Sequence, residues 1–570
     1  MRRRRRSVLA LLAATALAGT AALTAGAGTA GAAGGSEEAG AAPTRVLIVL
    51  FDQMRPEYAD RFNMPNFRML RGEGTNFRNA YLGYMGSETV IAHNVLVSGQ
   101  QPRHMGWVDE AYRDTGNLLG GGANQMWTTG ELSYTQYGQL IKPEGYPKLA
   151  DYLQIAQPGK KFIVVGQKGY AVESAAAESA ADTFSGDIAV RFGSRSASDP
   201  TNPCQIELGG RYRGPSGVNV PTYLSQPFCG RYYVNSDGSN TYGTSTAFPT
   251  WIYPLDGNRF VPGTDSAHLG GDTWVADAAM EMMEHEDWSG MFVTMGGIDK
   301  AGHMWGAETD VQSAPGSPDY QTHVQANAEN ADMQLGRMLD KLQELGQLDD
   351  TLVVLTADHG GTGSGSAAAG YPGFFGKRGS GSSTSDTNWY YGPDSKPTVY
   401  NNPSPLLAPL IDTGNVQFSY QSTSIQTWLK DSSPAKRAEA LAAMKTLPGV
   451  IATYWRDGGR YVLADTNKMT KSENKWWKKT AQSIVDTMAA DNGPDIVGLL
   501  QDDVGYGAVG DHGGASEAVQ RVPMVFWSPS MAFENNTSRK FQTPDVMPTI
   551  LRALGIPLTY PVDGRGVPLD

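Results

Sequence analysis

The segment TLVVLTADHGG, residues 351–361, is the part of the sequence that decides the fold. Its first six residues are uncharged and rich in β-branched side chains, which predicts a buried central strand. Asp358 and His359 follow, and the two glycines after them permit a sharp turn. Ligands of open α/β sheets bind just outside the carboxyl ends of the strands, so this pair is placed to hold a metal ion. The alternative is a polar turn that only ends the strand.

Four further apolar segments predict strands, and segments with helical periodicity lie between them. The predicted strands are Arg45–Phe51, Lys161–Val165, Met291–Met295 and Arg521–Trp527. The predicted helices are Met64–Leu70, a helix that begins near Thr89, Lys148–Leu153, Asp272–Trp288, Thr322–Leu345, Asn474–Ala490 and Asp545–Leu554. Strands that alternate with helices predict an α/β fold with a mainly parallel central sheet sandwiched by helices.

We expect residues 44–570 to form a single catalytic domain with two insertions. The first insertion, at about 194–269, lacks periodicity and is rich in turn-forming residues, which predicts short antiparallel strands. The second, at about 361–462, begins as a loop rich in glycine and serine. Its last part, Ser422–Val462, predicts two helices and a pair of strands that form a small cap or a second layer.

Residues 1–33 are predicted to be a signal peptide and are excluded from the fold. Arg2–Arg6 form a positive region, and Val8–Leu23 form an apolar region rich in alanine and leucine. Arg5 and Arg6 resemble a twin-arginine signal, and general secretion is the alternative route. No later segment is long and apolar enough to cross a bilayer. We therefore expect a secreted, extracellular protein with no transmembrane segment.

Charge and cysteine content narrow the function classes further. The net charge of −12 argues against a protein that binds a nucleic-acid scaffold, because such proteins normally present a basic patch. Cys204 and Cys229 are the two cysteines, and in an exported chain they predict one disulfide. Closing a loop of that length stabilises a fold by roughly 3 kcal/mol. Nothing in the sequence indicates the oligomeric state.

Polar residues at or near the predicted strand ends form one set of candidate ligands. They offer oxygen and nitrogen atoms without thiolates, which suits zinc in a catalytic site. Six ligands are too many for one tetrahedral ion and suit two divalent metal ions, which can stabilise both the attacking and the leaving oxygen at phosphorus. The set is Asp52, Asp299, His303, Asp358, His359 and His512.

In order and spacing, these motifs resemble the alkaline phosphatase superfamily. The similarity is to its nucleotide pyrophosphatase/phosphodiesterase and threonine-nucleophile phosphatase branches. The resemblance implies that one zinc ion is held by Asp299, His303 and His512, and the other by Asp52, Asp358 and His359. It also implies that Thr89, at the amino end of its helix, is the nucleophile and touches the second metal. A helix amino terminus would add positive potential where a phosphoryl group sits.

Three positions bear on the substrate, and two of them depart from the pattern of that family. Where related enzymes have an asparagine that contacts a phosphoryl oxygen, this chain has Glu110. Of the Lys-x-Arg pair that grips a monoester, Lys168 is present and Tyr170 replaces the arginine. These changes weaken binding of a monoester dianion more than binding of a diester.

We therefore expect a small phosphodiester substrate. A glycerophosphodiester with a cationic alcohol, such as ethanolamine or choline, is one such substrate. An alkaline phosphatase-type phosphomonoesterase is the alternative function. A more remote alternative is a non-catalytic binding protein on this scaffold.

Overall fold

A computed structural model provides the structure of the chain. It describes residues 42–129, 132–179, 188–195, 206–214, 217–218, 222–224, 269–305, 322–362, 390–391, 397–398, 407–502, 504–506, 510–533 and 535–569. The predicted signal peptide, Cys204, Cys229 and most of the glycine- and serine-rich loop lie outside the described residues. In the described part, no helix is both long and apolar enough to span a bilayer.

The described strands are numbered in chain order. They are β1 (Arg45–Phe51), β2 (Thr75–Asn76), β3 (Ala111–Asp114), β4 (Gln125–Thr128), β5 (Lys161–Gly166), β6 (Ile188–Arg195), β7 (Ile206–Gly214), β8 (Gly217–Val218), β9 (Trp288–Met295), β10 (Thr351–Thr356), β11 (Tyr390–Tyr391), β12 (Pro397–Thr398), β13 (Val416–Gln421), β14 (Ser424–Leu429), β15 (Val450–Asp457), β16 (Arg460–Thr466), β17 (Ile496–Leu500) and β18 (Met524–Trp527).

The described α-helices lie between these strands, except the last one, which follows the last strand. They are α1 (Tyr58–Arg61), α2 (Pro65–Glu73), α3 (Thr89–Ser98), α4 (Tyr134–Ile141), α5 (Leu149–Ala156), α6 (Gly169–Ala176), α7 (Leu269–His285), α8 (Gly297–Trp305), α9 (Thr322–Glu344), α10 (Ala408–Ile411), α11 (Pro434–Lys445), α12 (Lys471–Val485), α13 (Glu517–Gln520) and α14 (Val546–Ala553). The observed boundaries differ from several predicted ones. Helix α7 ends at His285, and β9 begins at Trp288, whose side chain is fully buried. Helix α12 ends at Val485 instead of Ala490, and β18 begins at Met524 instead of Arg521.

The central sheet has the order β2-β18-β10-β1-β9-β5-β6-β7-β8. Its middle strands, from β10 to β6, pair in parallel. Strand β18 joins antiparallel to β10, and β7 joins antiparallel to β6. The prediction of an α/β fold with a mainly parallel sheet is confirmed, and the antiparallel strands lie towards its two edges.

Strand β1 shows why the sheet is buried on both faces. Leu47, Val49 and Phe51 pack into one apolar core, which also contains residues of α2, α3, α7 and α9. The alternate residues Val46, Ile48 and Leu50 pack into a second core on the other face. An uninterrupted apolar run is what a strand covered by helices on both faces requires.

A second, five-stranded antiparallel sheet has the order β13-β14-β17-β15-β16. The prediction of two helices and a pair of strands over Ser422–Val462 is therefore wrong. That range contains one helix, α11, together with strands β14 and β15 and part of β16. Strand β14 is stabilised by pairing with β17, about seventy residues away, and local sequence periodicity does not reveal such a partner.

Candidate active site

The parallel order of the sheet brings the predicted ligands together. Asp52 directly follows β1, and Asp358 and His359 follow β10, its neighbour. On the other side of β1, strand β9 leads into α8, which carries Asp299 and His303. Carboxyl ends of adjacent parallel strands meet at one edge of a sheet. The side chains therefore converge although they are hundreds of residues apart in the sequence.

The first ligand group consists of Asp299, His303 and His512, all buried. His303 Nε2 lies 3.0 Å from Asp299 Oδ1 and 3.0 Å from His512 Nε2, and His512 Nε2 lies 3.4 Å from Asp299 Oδ1. Two ligands bound at about 2.0–2.1 Å from a tetrahedral zinc ion are about 3.3 Å apart. The three atoms are thus spaced as ligands of one ion.

The second ligand group consists of Asp52, Asp358 and His359, which are completely buried. His359 Nε2 lies 3.7 Å from Asp52 Oδ1 and 3.5 Å from Asp358 Oδ2. The other ring nitrogen, His359 Nδ1, lies 3.0 Å from the carbonyl oxygen of Gly360, so it carries the hydrogen. His359 Nε2 is therefore the nitrogen with a lone pair for a metal.

The charges in these groups fit two divalent cations. Burial raises the pKa of Asp52 well above its usual value, and the nearby carboxylates of Asp299 and Asp358 raise it further. Lys168 Nζ lies 2.6 Å from Asp52 Oδ2 and 2.6 Å from Asp299 Oδ2. Three buried carboxylates outnumber the one ammonium beside them, and divalent cations would supply the positive charge that a proton on Asp52 supplies otherwise.

Metal ions and protons compete for the same ligand nitrogens. Burial alone would lower the pKa of His512, but the carboxylates of Glu88 and Asp299 outweigh burial and raise this pKa well above its usual value. Burial lowers the pKa of His359 well below its usual value, and the charge on His512 lowers it further. A cation therefore displaces a proton from His512 but meets a neutral imidazole at His359.

Thr89 is the first residue of α3 and is 2% exposed. Its Oγ1 lies 3.3 Å from His359 Nε2 and accepts a hydrogen bond of 3.2 Å from Lys168 Nζ. Positive charge from Lys168 and from the amino terminus of α3 favours the ionised form of this hydroxyl. The threonine oxygen is thus next to the second ligand group and in an electropositive position.

The predicted substrate-binding residues lie at different distances from Thr89. Lys168 contacts Thr89 directly, and the ring centroid of Tyr170 is 5.9 Å from Lys168 Nζ. Glu110 is partly buried, and its Oε2 lies 3.5 Å from the hydroxyl of Tyr420. The structure therefore brings Lys168 and Tyr170 to the site and links Glu110 to it through a residue of the second sheet.

Sequence reasoning missed Glu88, Asp109 and Tyr420 as a group. Glu88 and Asp109 are buried carboxylates, and Tyr420 contacts Glu88 from β13. Its hydroxyl donates a 2.8 Å hydrogen bond to Glu88 Oε1. Glu88 stands directly before Thr89, so its position was visible in the sequence. Tyr420 gave no signal, because β13 is more than three hundred residues away.

His93, one turn after Thr89, supports the helix. Its Nδ1 lies 2.7 Å from the carbonyl oxygen of Thr89, and its Nε2 lies 2.8 Å from Thr294 Oγ1. Burial lowers the pKa of His93 to about 3, so the ring is neutral. It fastens the start of α3 to strand β9.

Residues 46–368 match the family model for type I phosphodiesterase/nucleotide pyrophosphatase. The chain belongs to this family. Its members are phosphoester hydrolases, so the predicted superfamily and the predicted enzyme class, a phosphoric ester hydrolase, are both confirmed. No curated protein matches the chain.

Solved structures of low sequence identity share the fold. Wild-type alkaline phosphatase PafA is 16% identical with a TM-score of 0.58, and the alignment covers 92% of this chain and 98% of that chain. Murine ectonucleotide pyrophosphatase/phosphodiesterase 5 is 14% identical with a TM-score of 0.51, over 91% of this chain and 97% of that chain. Identities this low show the fold alone, and that fold is the predicted alkaline phosphatase-like one.

Proposed function

We propose that the chain is a two-metal phosphodiesterase that works through a covalent phosphothreonine at Thr89. The observation that carries the proposal is the position of Thr89 Oγ1, 3.3 Å from His359 Nε2 and 3.2 Å from Lys168 Nζ at a helix amino terminus. When bound in the two ligand groups, divalent cations supply Lewis-acid stabilisation of the attacking and leaving oxygens.

The residues of the chain have distinct tasks in this proposal. Thr89 Oγ1 attacks phosphorus, the bond from phosphorus to one alcohol oxygen breaks, and that alcohol leaves with a proton. Lys168 and the first backbone N–H groups of α3 hold the phosphoryl oxygens. Water then attacks the phosphothreonine, which restores the Thr89 hydroxyl and releases a phosphomonoester.

Buried negative charge near Thr89 favours a diester over a monoester. Glu88 and Asp109 are buried, and Glu110 is partly buried beside Tyr420. By the family resemblance, Tyr170 replaces a second cation. A monoester dianion carries one more charge into these surroundings than a diester does. We further propose that Glu110 interacts with a cationic alcohol, such as ethanolamine or choline. A phosphomonoesterase of the alkaline phosphatase type is the second candidate.

Substrate preference tests this proposal. We compare kcat/KM of the zinc-loaded protein for a bis-aryl phosphodiester, an aryl monophosphate and glycerophosphoethanolamine. The expected result is a higher value for the diesters. A monophosphate that is preferred by orders of magnitude would overturn the argument from Glu110 and Tyr170.

A second experiment tests the nucleophile and the metals. Thr89→Ala should abolish turnover while the protein still binds two ions, and phosphothreonine should be detected by mass spectrometry after rapid acid quenching of the wild type. Turnover that survives in Thr89→Ala would contradict the covalent route. Metal analysis that finds fewer than two ions in the active wild type would contradict the site.

We also propose zinc as the metal, export directed by residues 1–33, and a disulfide between Cys204 and Cys229. Zinc suits the donor set of three carboxylates and three imidazoles. Amino-terminal sequencing of protein from the culture medium tests export. Non-reducing peptide mapping tests the disulfide, and a free thiol at either cysteine would contradict it.

A further inference from the structure

We propose that Glu88 is a positioning residue of the first ligand group, which fixes the His512 ring so that Nε2 faces the metal ion. This inference rests on the proposed function, because it takes His512 to be a metal ligand. It assigns a task to a buried carboxylate that is adjacent to the nucleophile but is not itself one of the six ligands.

The contacts of His512 define which of its nitrogens is available to a metal. His512 Nδ1 lies 2.6 Å from Glu88 Oε2 and 3.2 Å from the carbonyl oxygen of Ser87. Both partners are acceptors, so Nδ1 carries a hydrogen. The nitrogen left for a metal is Nε2, which faces Asp299 and His303 at 3.4 Å and 3.0 Å.

His359, in the second ligand group, shows a different arrangement. Its Nδ1 donates to a backbone carbonyl oxygen, that of Gly360. A carboxylate holds the imidazole hydrogen more strongly than a carbonyl does and makes the opposite nitrogen a better metal ligand. Glu88 therefore makes His512 a stronger metal ligand than His359, whose hydrogen-bond partner is only a carbonyl oxygen.

Glu88 is itself held in place from the second sheet. Its Oε1 accepts the 2.8 Å hydrogen bond of Tyr420, in β13. The turn after β13 also holds the His512 loop, since Thr423 N donates to the His512 carbonyl oxygen at 3.0 Å. Gly513 leaves room for the carboxylate, because a Cβ there would lie 1.9 Å from Glu88 Oε1.

Capping of α3 does not explain the Glu88 side chain. Glu88 is the N-cap residue, but its side chain makes no capping hydrogen bond to the helix. Its backbone is extended, with φ −122° and ψ 153°, an ordinary conformation for a residue before a helix. The carboxylate is buried and is directed at His512 and Tyr420 instead.

Zinc affinity measured by competition with a chromophoric chelator tests the proposal on the full protein. Outer-shell partners of metal-bound histidines typically change metal affinity by about 10- to 100-fold when they are mutated. We expect Glu88→Ala to lose about that factor at one of the two sites and to leave the other unchanged. Glu88→Gln keeps an acceptor oxygen without the charge and should lie between Glu88→Ala and the wild type. Tyr420→Phe, which loosens Glu88 without removing its carboxylate, should have a smaller effect at the same site.

Asp109→Asn is the matched control, because it removes a second buried carboxylate. The hydrogen-bond donors of Asp109 are Gln426 Nε2 and the backbone N–H of Glu110, and neither is a proposed metal ligand. Burial raises the pKa of Asp109 well above its usual value, and the charge of Glu88 raises it further, so the two carboxylates belong to the same region. Asp109→Asn should leave both zinc affinities close to those of the wild type. If it weakens zinc as much as Glu88→Ala does, general negative charge and not positioning is responsible, and the proposal is wrong. The proposal is also wrong if Glu88→Ala binds both ions with wild-type affinity.

Thermal unfolding separates positioning from a structural role. In the presence of a chelator, Glu88→Ala and the wild type should unfold at similar temperatures, and added zinc should raise the midpoint less in the variant. If the unfolding midpoint of Glu88→Ala is lower than that of the wild type by the same amount with and without zinc, Glu88 contributes to stability alone. A wild type that binds no zinc at all would refute the proposed function, whereas two normal sites in Glu88→Ala would refute only this inference.

Discussion

Replacing Lys168 by methionine tests how the site distinguishes a monoester from a diester. Lys168 Nζ donates to Thr89 Oγ1 at 3.2 Å and lies 2.6 Å from Asp52 and Asp299. Methionine keeps most of the length of the side chain and removes its charge. Because the ammonium is buried, solvent does not replace its contribution.

The size of the effect follows from these positions. A phosphorus atom attacked by Thr89 Oγ1 lies about 3–3.5 Å from it, and Lys168 Nζ is 3.2 Å from the same oxygen, so we take roughly 4 Å as the distance from Lys168 Nζ to the nearest phosphoryl oxygens. Loss of one such donor typically lowers kcat by about 100- to 1,000-fold. A monoester carries one more negative charge than a diester. At roughly 4 Å from Lys168 and an effective dielectric constant of about 20, that charge adds at most about 4 kcal/mol to the lost interaction, or roughly another 1,000-fold in rate.

We therefore expect Lys168→Met to lower kcat/KM for a bis-aryl diester by about 100- to 1,000-fold, and for an aryl monophosphate by more. Steady-state kinetics of the zinc-loaded proteins measures both values, and zinc analysis checks that two ions remain. Lys142→Met, at an exposed lysine paired with Glu178, is the control. An equal loss for both substrates would show that Lys168 acts only on Thr89 and does not contact the phosphoryl group.

Three further predictions concern residues around the ligands. Burial raises the pKa of Asp272 to about 7, so the folded state holds this proton more tightly and the free energy of unfolding falls as pH rises from about 4 to about 7. Denaturant unfolding at several pH values should show a smaller fall in Asp272→Asn than in the wild type. The same pH dependence in both proteins would contradict the assignment. Gly360→Ala should cost about 1–3 kcal/mol in unfolding free energy and weaken zinc at the second ligand group, because the added Cβ would lie 2.0 Å from the Ala518 carbonyl oxygen. His93→Leu should lower kcat more than it raises KM, since it releases the start of α3 at Thr89; unchanged kinetics would refute a supporting role.

The central sheet and the positions of the ligands were predictable because both depend on local sequence. Asp52 and Asp358 each follow an apolar run within two residues of its end, and Asp299 and His303 share one helical turn. In a parallel sheet such strand ends must meet, so a local motif is enough to place them. His512 belongs to no regular element; it was a candidate ligand in the sequence, and only the family resemblance assigned it to the group of Asp299 and His303.

The second sheet was not predictable in the same way. Strands β13 to β17 are stabilised by antiparallel pairing between segments up to about seventy residues apart, which a reading of local periodicity does not detect. The two glycines after His359 show a related difference. They were expected to permit a sharp turn, but Gly360 is also required because the backbone of Ala518 approaches it too closely for a side chain.

With the roles proposed above, the second sheet would contribute to the chemistry as well as to the fold. Tyr420 connects Glu88, which contacts His512, with Glu110, which we propose to contact the leaving alcohol. One hydroxyl thus joins the first ligand group to the part of the site that would recognise the substrate. A change at Glu110 that shifts Tyr420 should reach the metal through Glu88, so substrate preference and zinc affinity are expected to change together. If Tyr420 serves both Glu110 and Glu88, a substitution that changes substrate preference will also change zinc affinity.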